Sequence, residues 1–417
     1  MFYANRTLET QLSPLLSRKE AIAIVGPRQV GKTTLLLHLK ENLTQQGHKV
    51  KYLTFDNRAD LELFQDSIDS FKALHKDYSI IIIDEFHYAK EGGEKLKYLY
   101  DTTQVKFIIS GSSSLELTFQ TGKYMVGRMF TLHLWPFSFK EYISIKDKDL
   151  HRLLIENCEN FLSADPPKFF DNHINKRIEN YFREYIIFGG YPAPAIEDDP
   201  EIKKQLLASI LNNYLLKDIK SLLSLVTDQE LVNLSKFLAT QIGNLVNYQE
   251  LANASGLSAI NVKKHLKILE ETYILTIIKP FFTNKRLELI KTPKVYFLDT
   301  GFRNLIMENF TKLEMRSDKG ALIENFVCAH LLLRQGVFSP LHFWRTKSQA
   351  EVDFVVQRGE ESMPVEVKYG ATPSIGKSLY SFIDKFSPEK AFVLTMGYTD
   401  IRTIGKTTVI FAPVYYL

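Results

Sequence analysis

Only two cysteines occur among the 417 residues, Cys158 and Cys328, with no Cys-x-x-Cys pair and no histidines at metal-ligand spacing. A disulfide framework and a structural zinc site are thereby excluded, and a reducing compartment is expected. Long hydrophobic runs are missing too. The longest aliphatic stretch, Ile80 to Ile83, is far below the roughly 18 residues of a membrane span. Residues 1 to 11 have no apolar segment behind a basic start. These absences predict a soluble, cytoplasmic protein that is not exported and has no membrane partner. Charge of one sign is also lacking: 52 Lys and Arg against 48 Asp and Glu leave a formal net charge of +4. Nucleic-acid binding therefore cannot be read from the global charge and would need a local concentration of it. There is no internal repeat and no low-complexity tract.

What is present reads as a folded globular chain, 45% hydrophobic and 24% charged. Its length predicts two to four domains. Residues Ala21 to Val25 form an apolar strand. The next eight residues, Gly26, Pro27, Arg28, Gln29, Val30, Gly31, Lys32 and Thr33, fit G-x-x-x-x-G-K-[ST] without deviation. Thr34 and the leucines after it continue as an apolar-faced helix. Glycines at both ends let backbone N–H groups turn inward around phosphate oxygens, and the helix aims its positive dipole end at the same anion. Lys32 is expected on the β and γ phosphates, Thr33 on magnesium and Thr34 near the α phosphate, so ATP and Mg2+ are the expected ligands.

A second apolar strand, Tyr78 to Ile83, ends in Asp84-Glu85-Phe86-His87 and looks like a Walker B element. Ligands gather at the carboxyl ends of buried parallel strands. Asp84 is expected to hold the metal through water, with Glu85 as general base for the attacking water. The plainer alternative is an exposed strand end with two acidic residues.

The chain resembles a widespread bacterial and archaeal family of AAA+-type ATPases with a nuclease-like C-terminal domain. The stretches that carry the resemblance are GPRQVGKTT, IIIDEFH, ISGSSS, VGRMF, WPFSFKEY, FGGYPA, YLLKDI, VYFLDTG, and the tail from ALIENFV to VEVKYG. Together they span nearly the whole chain. The resemblance implies a γ-phosphate sensor in the serine run after the strand Val105 to Ile109, with Ser113 chosen over Ser112 and Ser114. A serine-rich turn without chemical use is the alternative. Arg128 is either a finger that steadies transition-state charge, from which a homo-oligomer would follow, or a surface ion pair. The segment Phe188 to Ala193 resembles the glycine and proline motif with which related switch-type ATPases contact adenine. Pro192 would pack on the base, unless the segment is a plain interhelical turn. Helices expected at Asn175 to Tyr185 and Glu201 to Leu223 would form a lid. Tyr214 to Ile219 carries no assigned chemistry.

From Asn247, a short helix, a turn at Gly256, a Ser258 cap and a second amphipathic helix spell a helix-turn-helix. Apolar strands at Tyr273 to Ile278 and Leu287 to Ile290 would make it winged. Between Leu251 and Ile290 six Lys or Arg face three Glu, with Lys263, Lys264 and Lys267 on the second helix. Those lysines suit phosphates in a DNA major groove, duplex or branched; a structural or protein-contact module is the alternative.

In the tail, Glu324 falls in a helix from Ala321 to Leu333, Asp353 in a strand from Glu351 to Gln357, and Glu366 and Lys368 in the next strand. A hairpin at Arg358 to Glu361 would join the strands. This resembles the PD-(D/E)xK nuclease core. Strand alternation puts Glu366 and Lys368 on one face and Val365 and Val367 on the other. The resemblance implies that Asp353 and Glu366 share a magnesium, that Lys368 orients the nucleophile, and that Glu324 completes the site. A solvent-facing hairpin or an inactive nuclease fold is the alternative.

The architecture expected is α/β: a P-loop AAA+-like core with a parallel sheet at 1–145, a helical lid at 146–235, a winged helix at 236–312, and a restriction-endonuclease-like α/β domain at 313–417. The function expected is ATP hydrolysis that drives or controls action on DNA, with a Mg-dependent nuclease domain. The rival is a nucleotide-dependent signalling or scaffold switch that uses its later domains for protein contacts.

Overall fold

A computed structural model describes residues 3–111, 121–158, 161–163, 168–212, 229–282, 291–334, 340–370 and 374–417. Cα packing divides the chain into two compact units, Met1–Phe137 with Glu271–Tyr273, and Ser138–Glu270 with Ile274–Leu417. The three segments expected at 146–235, 236–312 and 313–417 thus fall in one unit.

The first unit is built on five parallel strands. They are β1 (Ala21–Val25), β2 (Val50–Thr54), β3 (Ile80–Asp84), β4 (Lys106–Gly111) and β5 (Met129–His133), in the order β2-β3-β4-β1-β5. Every residue of β1, β3 and β4 is buried, as continuous apolar runs require in a sheet covered on both faces. The second apolar strand starts two residues later than expected and takes in Asp84. Around the sheet lie α1 (Leu8–Leu16), α2 (Lys32–Gln45), α3 (Arg58–Asp66), α4 (Ile68–Leu74) and α5 (Gly92–Thr102).

The second unit opens with α6 (Phe139–Lys146), where a capping box explains the SFKE stretch. Ser138 Oγ accepts from the Glu141 amide at 3.2 Å, and Glu141 Oε2 accepts from the Ser138 amide at 2.8 Å. Helices α7 (Lys148–Cys158), α8 (Asn172–Phe188), α9 (Pro192–Ile196) and α10 (Pro200–Leu211) follow. The later part of the helix expected through Leu223, and Tyr214 to Ile219 with it, lies outside the described residues. After α11 (Gln229–Thr240) come α12 (Tyr248–Ser255) and α13 (Ala259–Glu271), joined by the turn at Gly256. Ser258 Oγ accepts from the Asn261 amide at 3.2 Å and so caps α13 as expected.

Two antiparallel strands succeed this pair, β6 (Leu275–Pro280) and β7 (Lys294–Phe297). The strand expected at Leu287 to Ile290 lies outside the described residues. The C-terminal part comprises α14 (Thr300–Ile306), α15 (Lys319–Leu333), β8 (Leu341–Arg345), β9 (Glu351–Arg358), β10 (Glu361–Val367), α16 (Lys377–Phe386), β11 (Lys390–Thr395), β12 (Asp400–Ile404) and β13 (Thr407–Pro413). Its sheet runs β12-β13-β11-β10-β9-β8-β6-β7. Because β6 pairs with β8, the strands after the helix-turn-helix extend the C-terminal sheet. Phe281 of this segment joins Trp344, Val352, Phe382 and Phe411 in one core cluster.

Two glycine-bearing stretches of this unit, around Gly189 and Gly301, interlock. Asp299 Oδ2 accepts from the Gly190 amide at 2.8 Å, and its Oδ1 from the Phe302 amide at 3.0 Å. Asn304 Nδ2 donates to the carbonyls of Ile186 and Ile187, which end α8, at 3.1 and 2.9 Å. A Cβ on Gly301 would stand 2.1 Å from the Phe188 carbonyl oxygen. Tyr191 stacks on Phe302 with ring centroids 4.2 Å apart.

Candidate functional site

The loop from Gly26 to Thr33 leaves the buried end of β1 and enters α2 through Gly31, whose φ of +94° is open to glycine at little steric cost. At Gly26 the reason is space, since a Cβ there would lie 2.1 Å from the Leu134 carbonyl oxygen. Gln29 also adopts a positive φ of 61°, an uncommon conformation for a side-chain-bearing residue. Pro27 and Val30 are buried, whereas Arg28 and Gln29 face solvent.

Lys32 is only 5% exposed, and its ammonium donates to the carbonyls of Gly26 and Pro27, each at 2.9 Å. It therefore lies inside the curve of the loop. Burial pushes its pKa down to about 8, opposed by the carboxylates of Glu85 and Asp84. A buried cation among inward-turned amides is a donor set that suits an anion. Thr34 follows on the first turn of α2.

Asp84 gathers donors from three other strands or loops. Its Oδ2 accepts from Thr33 Oγ1 at 2.6 Å and from the Tyr52 hydroxyl at 2.9 Å. Its Oδ1 accepts from Ser110 Oγ and, at 3.1 Å, from the Glu85 amide. Ser110 Oγ in turn accepts from that amide at 3.0 Å. Glu85 sits at φ +52° just past the strand end, a strained backbone for a non-glycine residue. Its Oε2 stands 3.1 Å from His87 Nδ1. Burial disfavours the charged form of Glu85, but the His87 contact and the positive field of Lys32 prevail and hold its pKa below the ordinary carboxyl value. Burial and the adjacent Asp84 push the Tyr52 hydroxyl up, so Tyr52 stays a proton donor.

The structure brings together Lys32, Thr33, Asp84 and Glu85, all named from sequence, and adds Tyr52, Ser110, His87 and Arg6. Arg6 is 6% exposed; it donates to the Val30 carbonyl at 2.9 Å and the Trp135 carbonyl at 2.6 Å, and lies over the Phe137 ring. It thus braces the loop from behind. Ser110 could have been noticed as the last serine within a strand beside Asp84; for Arg6 the sequence carries no signal. Ser113 and its neighbours Ser112 and Ser114 lie outside the described residues. Arg128 follows a turn at Gly127 and pairs with Asp101, Nε to Oδ1 3.2 Å, on a partly exposed surface. Pro192 belongs to the second unit, where it starts α9 and is half-buried.

The C-terminal carboxylates assemble around a lysine that sequence reasoning missed. Lys294, 2% exposed on β7, sets its ammonium 2.6 Å from Glu351 Oε1 and 3.4 Å from Glu324 Oε1. Tyr296, two residues on and so on the same strand face, donates its hydroxyl to Glu324 Oε1 at 2.6 Å. Asp353 Oδ2 accepts from the Val367 amide at 2.7 Å. Burial, then the nearby Glu324 and Glu366, raise the Asp353 pKa to about 8, with Lys294 pulling the other way. Lys368 Nζ meets Glu366 Oε1 at 2.5 Å, while Glu366 Oε2 is buried with no hydrogen-bond partner. All four residues named from sequence, Glu324, Asp353, Glu366 and Lys368, therefore share one neighbourhood. Among the described residues, no three His, Cys, Asp or Glu side chains are grouped so as to hold a metal ion. Glu366 Oε2 is the atom here that lacks a donor or cation.

On the helix-turn-helix, Lys263, Lys264 and Lys267 are all exposed, while Val262, Leu266 and Leu269 are buried. The basic face of α13 is thus a solvent face. Among the described residues, no helix is long and apolar enough to cross a membrane.

Comparison with known proteins supports the first unit's reading. Residues 18–143 match the AAA domain family, so the N-terminal part is a P-loop domain of AAA type. Residues 179–313 and 319–415 match two domains of unknown function, DUF8612 and DUF4143. An uncharacterized protein of Haemophilus influenzae is 24% identical over 364 residues, 83% of this chain and 82% of that protein. One from Methanocaldococcus jannaschii is 25% identical over 336 residues, 76% of this chain and 68% of that one. One from Mycobacterium tuberculosis is 24% identical over 387 residues, 91% and 77% of the two chains. Among solved structures, AMPPCP-bound DnaA from Aquifex aeolicus aligns over 65% of this chain and 89% of its own, at 15% identity and a TM-score of 0.31. The Pif1 helicase of Candida albicans aligns over 41% and 50%, at 16% identity and a TM-score of 0.25.

Proposed function

We propose that this chain is an ATPase whose first unit binds Mg-ATP and hydrolyses it to drive or control action on DNA by the second. The observation that carries the ATPase half is the contact of Thr33 Oγ1 with Asp84 Oδ2 at 2.6 Å, beside a buried Lys32 in the loop. A hydroxyl and a carboxylate together are hard oxygen donors suited to magnesium. Magnesium held by Thr33 and Asp84 would neutralise phosphate charge. Lys32 exchanges its two loop carbonyls for phosphate oxygens, which are stronger acceptors for an ammonium. Glu85, ionised and oriented by its amide bonds to Ser110 and Asp84, takes the proton of the attacking water. Pro192 is proposed on the adenine, Ser113 near the γ phosphate, and Arg128 as the charge-steadying group of a homo-oligomer.

The DNA half rests on the exposed lysines of α13 and on the order helix, three antiparallel strands, helix, strand at α15-β8-β9-β10-α16-β11. That order puts Glu324, Asp353, Glu366 and Lys368 in one place, as a PD-(D/E)xK nuclease-like domain requires. A second reading, a nucleotide-controlled switch that contacts proteins and cleaves nothing, is favoured by Lys294, which already neutralises two of the carboxylates.

An ATPase assay with duplex, branched, single-stranded and no DNA tests both halves. Turnover that needs Mg2+, vanishes in Lys32→Ala and rises several-fold with DNA supports the proposal. Turnover indifferent to every DNA, with no cleavage that Asp353→Ala removes, leaves the switch.

A further inference from the structure

We propose that Lys294 is a resident cation of the C-terminal carboxylate cluster and competes with a divalent ion for it, so that a metal enters only when Lys294 releases Glu324. The inference rests on the reading of this cluster as a metal site and adds a residue from outside the 313–417 segment.

Three observations carry it. First, Lys294 is 2% exposed and its ammonium reaches Glu351 Oε1 at 2.6 Å and Glu324 Oε1 at 3.4 Å, which places a positive charge among the carboxylates. Second, Tyr296 from the same strand holds Glu324 Oε1 at 2.6 Å, so β7 presents a cation and a hydroxyl to one glutamate. Third, Glu366 is 4% exposed and its Oε2 has no partner, although buried carboxylate oxygens nearly always find a donor or a cation. The unmatched oxygen and the matched glutamate belong to the same neighbourhood. A single ammonium satisfies Glu324 and Glu351 and leaves Glu366 short of one ligand.

The lysine is fixed by backbone as well as by charge. Lys294 pairs with Leu245 in an isolated antiparallel bridge, and the amides of Gly243 and Val246 donate to the carbonyls of Val295 and Pro293 at 3.1 and 2.8 Å. The residues that open the helix-turn-helix segment therefore hold the strand that delivers the cation. Any shift of that segment moves the ammonium relative to Glu324. A buried ammonium and a divalent ion cannot share one carboxylate oxygen without strong repulsion at such distances.

The test uses Mn2+ as the probe, titrated into the nucleotide-free full chain by calorimetry, together with thermal unfolding with and without Mn2+. Lys294→Met and Lys294→Gln are compared with the parent, the second serving if the first fails to fold. We expect Mn2+ to bind at least tenfold more tightly to either variant than to the parent, and to raise the variant's Tm more. Adding Asp353→Asn must remove the gain. Equal affinity in parent and variants, lost in both with Asp353→Asn, overturns the role of Lys294 and leaves the metal site standing. No Asp353-dependent binding in any protein overturns the metal reading and this inference with it.

Discussion

Thr33 and Asp84, 51 positions apart, meet at 2.6 Å between hydroxyl and carboxylate. The contact exists because β1 and β3 both run parallel to β4, so the loop after one strand and the tip of the other emerge at the same sheet edge. Everything proposed for the first unit depends on that meeting.

Nucleotide binding should take up protons above neutral pH. In the free protein Lys32 has a pKa of about 8, below the ordinary lysine value, chiefly from burial. Phosphate oxygens favour its charged form and raise that pKa. Near pH 8.5 much of the Lys32 population is neutral and must gain a proton on binding; near pH 6.5 it is already charged. Calorimetry of Mg-ATP in buffers of different ionisation enthalpy should therefore show uptake at the higher pH and little at the lower. Uptake that is the same at both would remove Lys32 as the source.

Ser110→Ala and Glu85→Gln should separate positioning from chemistry. Glu85→Gln removes the proposed base and should lower kcat on the order of 100-fold or more while ATP still binds. Ser110→Ala deletes one donor to Asp84 and one acceptor for the Glu85 amide, a loss of about 1 to 2 kcal/mol. That corresponds to roughly a 5- to 30-fold drop in turnover. Steady-state kinetics of both variants decide it, and an unaltered Ser110→Ala rate would show that the Glu85 backbone is held without it.

Arg6→Lys should behave like Arg6→Ala. A lysine has no planar fork to reach the Val30 and Trp135 carbonyls together while lying over Phe137. Both variants should weaken Mg-ATP binding several-fold and lower the unfolding midpoint of the first unit. Full rescue by lysine would mean that charge alone is what the loop needs.

The lock around Asp299 should show in stability and in pH. Gly301→Ala forces a methyl to within 2.1 Å of the Phe188 carbonyl oxygen, so one of the two segments must move. A loss of about 2 kcal/mol or more is expected in denaturant unfolding. Burial raises the Asp299 pKa to about 6, partly offset by its backbone donors, so the folded state holds a proton that the unfolded state releases near pH 4. Stability from this group is therefore full below about pH 4 and falls as pH rises through 6, by up to about 3 kcal/mol. Asp299→Asn should flatten that part of the stability curve; an unchanged slope would assign it to other groups.

Much of the nucleotide site was legible before folding because its parts are contiguous. Strand, glycine loop and helix are one run from Ala21 to Gln45, and the hydrophobic alternation that marks β9 and β10 puts Asp353, Glu366 and Lys368 where the sequence placed them. The helix-turn-helix was readable for the same reason, since its turn and cap are local. Boundaries moved by a few residues where apolar periodicity ends before the hydrogen-bonded ladder does, as at β3, which extends to Asp84.

Local chemistry along the chain thus determined the phosphate loop, the acidic strand ends and the basic helix face, since each depends on residues a few positions apart. Tertiary structure alone decided which distant side chains complete them. Strand order brought Tyr52 and Ser110 to Asp84, pairing of β6 with β8 carried Lys294 into the carboxylate cluster, and Arg6 and Asp299 found carbonyls and amides from remote segments. A donor-acceptor pair that spans tens to hundreds of residues leaves no periodicity in the sequence, because burial fixes each partner only after the layers have packed.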